Sequence, residues 1–259
     1  MTMEVDAKMV KELRDATGIS VMQCKRALEE AEGDMKKALA ILKKISSDIA
    51  LKKADRVTKD GRVSIKSKDK KSVLVALLCE TDFVSKNSDF VKLLEILTEE
   101  AFQKGIDEMK KNAKEKIDSV IQKTGEKIEL GDTYEISGEV LGSYVHNNKA
   151  GVIVSLDGGT EELARDVAMH VTAMKPEYVS EGDIAEEAKK MMLEVFQKEI
   201  AGVNKPEEIK KKMLEGKIST YFKEKTLLDQ TFIKNSDLTV GQLLLSNKAK
   251  IKEIKRCFI

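Results

Sequence analysis

The chain contains no tryptophan, and aromatic side chains make up only 4% of its 259 residues. This scarcity disfavours a sandwich or barrel whose core depends on aromatic rings. Charged residues reach 35%, against about 25% in ordinary globular chains. Such a composition favours long, solvated helices, and the hydrophobic fraction of 41% is still large enough for folded cores. The length allows two or three domains.

An excess of charge of one sign is also absent. The chain carries 46 basic and 45 acidic residues, which gives a formal net charge of +1. This balance excludes a protein whose main task is to grip phosphate backbones. A nucleic-acid binder could still use lysine-rich helices such as 104–123, but these lysines are matched by acids and have no aromatic residues between them. A solvated helix face is the better interpretation of that segment.

Cysteine is rare, and its spacing predicts no disulfide framework and no CxxC pair. The three cysteines, Cys24, Cys79 and Cys257, lie far apart, which is typical of reduced, buried thiols in a cytosolic protein. The first fifteen residues show no signal or transit pattern. The longest apolar stretches, 73–79 and 152–156, are too short to span a bilayer. We therefore expect a cytoplasmic protein without a membrane partner.

The sequence motifs of catalytic sites are missing as well. No phosphate-binding glycine loop and no HExxH pattern occurs, and the only histidines, His146 and His170, fall on different predicted elements. His170 lies on an apolar helix face, where a buried and hydrogen-bonded histidine is more common than a ligand. Cys79 has no basic neighbour that would activate its thiol. We expect no catalytic residue, no metal and no cofactor, and hence a protein that is not an enzyme.

Hydrophobic periodicity predicts three short helices in the first fifty residues, the second of which begins with a capping box formed by Ser20 and Gln23. A strand hairpin followed by a helix is then predicted twice, within 61–104 and within 138–175. In the second hairpin, 134–146 is predicted as one strand. The repeat suggests two related α+β subdomains side by side.

The predicted fold class is therefore α+β, with a helical hairpin from two charged helices that follow the second unit. The predicted division is residues 1–55 for the three-helix domain, 56–137 for the first core subdomain and 138–259 for the second, which includes a helical hairpin at about 183–224.

The segment from Thr81 to Val84 allows two interpretations. A buried strand ends here in an acid beside a large aromatic residue, before the next helix begins. In one interpretation Phe83 packs in the core and Asp82 is a turn or cap residue, which is the commoner placement for these residue types. In the other, the loop projects Phe83 as an anchor for a partner's pocket, and Asp82 competes for a positive group.

Two motifs resemble those of the bacterial elongation factor Ts family. Residues 13–18, continuing through 22–28, resemble its amino-terminal signature, and residues 79–86 resemble its second signature. Further similarity comes from 142–146, from 168–171 with 175–177, and from 239–244. The matching segments run in order from about Val10 to the end of the chain, so the resemblance is specific.

The resemblance implies a guanine-nucleotide exchange factor that binds elongation factor Tu in its GDP-bound and nucleotide-free states. It implies an amino-terminal domain similar to ubiquitin-associated domains, two core subdomains and a protruding coiled coil. It further implies a 1:1 or 2:2 complex, without direct nucleic-acid contact.

The resemblance also assigns roles to individual residues. The loop that dislocates the partner's Mg²⁺ would consist of Thr81, Asp82, Phe83 and Val84. Phe83 would wedge between helices of the partner while Asp82 disturbs the Mg²⁺ side. The remaining partner contacts would be His146, Val21, Met22 and Lys25.

This chain departs from the family pattern at two places. Family members usually have Glu and Asn where this chain has Ala76 and Leu78, a change that we expect to affect strand packing more than the loop. The turn after His146, often rich in glycine, is Asn147-Asn148 here.

A rival functional class is an adaptor that joins other proteins through its helices. It would share every feature except the need for Asp82 and Phe83, and nucleotide exchange on a defined partner separates the two classes.

Overall fold

The computed structural model describes residues 5–259. Within that range the helices are α1 Ala7–Thr17, α2 Val21–Glu30, α3 Met35–Lys52, α4 Asp82–Ser85, α5 Ser88–Lys104, α6 Ile106–Thr124, α7 Glu161–Met174, α8 Glu186–Ala201, α9 Glu207–Lys225 and α10 Val240–Ser246. The strands are β1 Asp60–Lys68, β2 Lys71–Cys79, β3 Ile128–Ser137, β4 Val140–His146, β5 Ala150–Asp157, β6 Thr231–Phe232, β7 Asn235–Thr239 and β8 Lys250–Phe258. Helices and small antiparallel sheets together confirm the predicted α+β class.

The chain forms two compact units. The first contains the described residues up to Ile136 together with Val145–Gly151 and Arg256–Ile259, and the second contains Ser137–Tyr144 and Val152–Lys255. The predicted division into three sequential domains stays a prediction.

The first three helices share a small core of their own, with Leu13, Cys24 and Leu28 fully buried. The Ser20 hydroxyl accepts a hydrogen bond from the Gln23 N–H at 3.4 Å, as an N-cap should. The side-chain oxygen of Gln23 accepts from Gln122 on α6. Only the serine half of the predicted capping box is therefore seen.

The first sheet has the order β1-β2-β3. Strands β1 and β2 are antiparallel, in a register that pairs Asp60 with Cys79 and Lys68 with Lys71. Strand β2 is buried along most of its length, and α5 and α6 pack with it around Phe90, Leu97 and Met109. The core of this sheet thus lies directly behind the segment that follows Cys79.

The prediction of a single strand over 134–146 is wrong. The chain forms β3 and then β4, and these strands belong to different three-stranded sheets. The break falls at Gly138, where an added Cβ would lie 2.1 Å from the Ser155 hydroxyl oxygen. The narrow space beside the Ser155 side chain favours glycine at this position, and glycine weakens the interior of a strand.

The second sheet has the order β4-β5-β8, and β6 and β7 form a separate pair. Helix α7 packs in a core that includes Val167, Leu227 and Phe232. In the same unit, α8 and α9 lie side by side, and the rings of Phe196 and Tyr221 meet edge to face at 5.6 Å. None of the helices in residues 5–259 is both long and apolar enough to cross a membrane.

Candidate partner-binding site

The segment after β2 forms one turn of helix, α4, where the sequence analysis predicted only a turn or a loop. The turn is closed by the Ser85 N–H donating to the Thr81 carbonyl oxygen and the Lys86 N–H donating to that of Asp82, each at 3.2 Å. Four helical residues are too few to give a periodic pattern, which explains why the turn was missed.

Helix α4 exposes one of two neighbouring apolar side chains and buries the other. Phe83 is 83% exposed, whereas Val84 is 7% exposed and packs in the core of the first sheet. Of the two interpretations of this segment, the structure therefore supports the one that projects Phe83 from the surface. A large aromatic side chain held in water leaves its apolar surface available for contact with another molecule.

Asp82 is also exposed and forms an ion pair with Lys86, with 2.6 Å between its Oδ2 and the lysine Nζ. The hydrogen bond to Asp82 raises the pKa of Lys86. Exposed pairs of this kind contribute little to stability because water competes for both charges. The carboxylate can therefore exchange its lysine for another cation at low cost.

Two carboxylates hold the residues just before α4. Glu126, in the loop between α6 and β3, accepts two hydrogen bonds from Thr81, one from its N–H at 2.9 Å and one from its hydroxyl at 2.6 Å. Glu80 accepts from the N–H of Lys127 at 2.6 Å. This bond, together with Arg56, lowers the pKa of Glu80. The loop with Glu80 and Thr81 and the loop with Glu126 and Lys127 thus bind each other, because each provides one carboxylate and one N–H donor.

Cys79 lies beneath these contacts, and its thiol donates to the Thr81 carbonyl oxygen at 3.2 Å. Burial, and then the negative charges of Asp60 and Glu126, raise the pKa of Cys79 to about 12. The thiol therefore stays protonated at neutral pH and is a poor nucleophile. The contacts that it makes are packing in the core of the first sheet and the hydrogen bond to Thr81.

His146 lies at the end of β4 and is exposed. It opens a tight turn in which Asn147 and Asn148 adopt positive φ angles of 50° and 58° and the Lys149 N–H donates to the His146 carbonyl oxygen at 2.9 Å. Asparagine tolerates this backbone region better than most residues. The turn therefore forms without the glycines usual in the family.

Asp60 connects the His146 turn to α4. Its Oδ1 lies 2.5 Å from the Lys149 Nζ, which also donates to the Gly61 carbonyl oxygen at 2.7 Å. Burial tends to raise the pKa of Asp60, but the bonds from Lys149, from the Ser85 side chain and from the Gly61 N–H outweigh it and lower the pKa. One carboxylate thus links the turn that carries His146 to the helix that carries Phe83.

Val21, Met22 and Lys25 form a separate set on α2. Val21 and Met22 are 51% and 61% exposed, and Lys25 pairs with Glu29 at 3.7 Å on the same helix. None of the hydrogen bonds described for α4 and the His146 turn reaches α2.

Ala76 and Leu78, where the chain departs from the family pattern, lie between strands of the first sheet. Ala76 is fully buried, and a Cβ added at Gly131 of β3 would lie 3.2 Å from its Cβ and 3.1 Å from the Leu78 Cγ. Both side chains therefore pack against β3, away from the exposed face of α4.

The sequence analysis missed Asp60 and Glu126, the carboxylates that fix α4 and the neighbouring turn. They are two among 45 acidic residues, and their partners Lys149 and Thr81 are distant in sequence. No local pattern marks either residue. Only the tertiary structure identifies them.

Comparison with known proteins now decides the family. The family model described as elongation factor TS matches residues 80–259, which include α4 and the His146 turn. The chain belongs to the elongation factor Ts family.

Several curated proteins named elongation factor Ts are similar to it along nearly the whole chain. The protein from Hahella chejuensis is 39% identical over 97% of this chain and 91% of its own length. The one from Wolbachia pipientis is 36% identical over 98% of this chain and 97% of its own length. The one from Pseudomonas aeruginosa is 35% identical over 98% of this chain and 90% of its own length. The similarity to elongation factor Ts thus extends beyond residues 80–259 to the three amino-terminal helices.

Proposed function

We propose that the protein is a guanine-nucleotide exchange factor that binds elongation factor Tu with GDP, promotes GDP release and stabilises the nucleotide-free state until GTP binds. Membership of the elongation factor Ts family supports this function. The single structural observation that carries it is the exposure of Phe83 on a helix that is held from below.

The mechanism needs binding energy and no covalent step. A G protein holds GDP through a phosphate-binding loop and a Mg²⁺ ion. An exchange factor that prefers the nucleotide-free state lowers the partner's affinity for nucleotide. Bound nucleotide lowers the partner's affinity for the exchange factor by the same ratio. A thousandfold effect corresponds to about 4 kcal/mol of differential contact.

The α4 helix has the side chains that this mechanism requires. Burial of an exposed phenylalanine contributes about 1.5–3 kcal/mol, so Phe83 wedged between helices of the partner supplies a large part of the preference. Asp82 acts on the Mg²⁺ side of the nucleotide site, where it exchanges Lys86 for the partner's cationic groups. Thr81 and Val84 belong to the same site because they hold the helix in place.

The remaining contacts extend the interface around this helix. His146 makes a second contact beside the nucleotide site, and the Asp60 network supports it by keeping its turn close to α4. Val21, Met22 and Lys25 dock the three-helix domain on the nucleotide-binding domain of the partner. Their exposure on one helix supports this role.

The finer architecture is part of the same proposal. Residues 1–55 form a domain similar to ubiquitin-associated domains, 56–137 and 138–259 are the paired core subdomains, and 183–224 is a coiled-coil hairpin. The complex with elongation factor Tu is 1:1 or 2:2, forms in the cytoplasm and involves neither nucleic acid nor membrane.

Release of a fluorescent GDP analogue from elongation factor Tu tests this function. We expect substoichiometric amounts of the protein to accelerate the release of all bound nucleotide, because each molecule dissociates once a new nucleotide binds. An unchanged release rate with folded protein would contradict the proposal and would favour an adaptor that shares the fold.

A further inference from the structure

We infer that Glu126 is a positioning residue for nucleotide exchange, which sets the orientation of α4 through Thr81. The inference rests on the proposed function. It concerns a residue outside the Asp82–Phe83 motif, in the loop that joins α6 to β3.

The first observation is the unusual state of the helix N-cap. Thr81 occupies the N-cap of α4, but its side chain makes no capping hydrogen bond to the helix. A threonine at this position normally accepts from a helix N–H. Here the hydroxyl donates to Glu126 Oε1 instead, at 2.6 Å.

The second observation is that both donors of Thr81 bind the same carboxylate. The Thr81 N–H donates to the other oxygen, Oε2, at 2.9 Å. Two bonds to an ionised acceptor fix an orientation as well as a distance. The residue that starts α4 is therefore held by a group outside the helix.

The third observation concerns what else could hold the helix. A single turn has little intrinsic stability, and Phe83 contributes no packing because it projects into water. Val84 and Ser85 are buried on the inner side, where Asp60 holds the carboxy-terminal end of the helix through Ser85. Glu126 holds the amino-terminal end, so that the direction of Phe83 depends on it.

The maximal rate of stimulated GDP release at saturating factor tests this role, with the half-saturating concentration measured in parallel. We expect Glu126→Ala to lower the maximal rate by about tenfold to a hundredfold, since a misplacement of the order of 1 Å can cost up to about a hundredfold. Thr81→Val, which loses only the hydroxyl, should also lower the maximal rate, and Thr81→Ser, which keeps both donors, should lower it less than Thr81→Val does.

A matched control is available on β3. Glu129 also accepts a hydrogen bond from a threonine hydroxyl, that of Thr58 at 2.5 Å, but it holds the segment before β1. Glu129→Ala should leave the maximal rate close to that of the wild type. If Glu126→Ala lowers the rate no more than this control, the inference is wrong.

The double variant separates positioning from general loss of structure. If the hydrogen bond between Thr81 and Glu126 sets the maximal rate, Thr81→Val should not lower that rate further in a protein that already carries Glu126→Ala. Additive effects, or a lower melting temperature with an unchanged maximal rate, would overturn the inference and leave Glu126 a structural role only. Failure of the wild type to accelerate release would instead contradict the proposed function itself.

Discussion

Two adjacent residues, Phe83 and Val84, show how a single turn of helix can bury one side chain and expose its neighbour. Val84 is buried in the core behind the first sheet, and Phe83 is almost fully exposed. Consecutive helical residues point about 100° apart, so one turn can anchor itself with one side chain and present the next. The sequence alone allowed Phe83 to point inward or outward. Its residue type favours burial, but the packing of Val84 in the core decides which of the two side chains turns inward.

His170 is the other residue for which the structure makes a sharp prediction. It is fully buried, its Nε2 lies 3.0 Å from the Gln230 Oε1 and its Nδ1 accepts from the Ile233 N–H at 3.2 Å. Burial lowers its pKa below the ordinary value of 6.5. The unfolded chain therefore binds a proton at a higher pH than the folded one.

The free energy of unfolding should consequently be highest above pH 6.5 and fall as the pH decreases from there towards the lowered pKa. Urea denaturation between pH 7.5 and 5 measures this fall, and His170→Gln should reduce it, while His146→Gln, at an exposed position, should retain it. An imidazole that titrates at or above 6.5 by NMR in the folded protein would contradict the prediction.

At the scale of helices and strands, elements with a clear hydrophobic periodicity were predictable from the sequence, and short or polar elements were not. The apolar run of β2 and the capped helix α5 lie almost where the sequence predicted them. The first half of β3 was missed because it includes Gly131 and Asp132, residue types that are uncommon in strands, and its last residues were merged with β4. Its place in the first sheet depends on partners in β2 that no local pattern reveals.

Two glycines in the second unit should respond oppositely to alanine. A Cβ at Gly142 of β4 would lie 2.1 Å from the backbone carbon of Ala164 in α7, whereas one at Gly216 of α9 would meet nothing within 4 Å. Gly142→Ala should therefore lower the free energy of unfolding by about 1–3 kcal/mol through overpacking. Gly216→Ala should raise it by up to about 1 kcal/mol through helix propensity.

Urea denaturation of both variants measures these differences. Equal effects of the two substitutions would show that the close approach of β4 and α7 is not required for stability.

At the scale of the whole molecule, the structure places its candidate contacts in two sets. One set, α4 and the His146 turn, is connected through Asp60, and the other lies on α2. Composition and periodicity predicted a multi-domain α+β binding protein, and the motifs predicted the family, which the comparisons confirm. The support beneath α4 could not be predicted, because it consists of hydrogen bonds between distant carboxylates and loops.

The most direct measurement is the maximal rate of GDP release from elongation factor Tu at saturating Phe83→Ala, compared with the wild type. Loss of about 1.5–3 kcal/mol of aromatic burial corresponds to a rate about 10- to 100-fold lower. Leu245→Ala is the matched control, because Leu245 is 79% exposed and Phe83 83%, and it should leave the rate unchanged. A folded Phe83→Ala protein that releases GDP as fast as the wild type would contradict the exchange role of this helix.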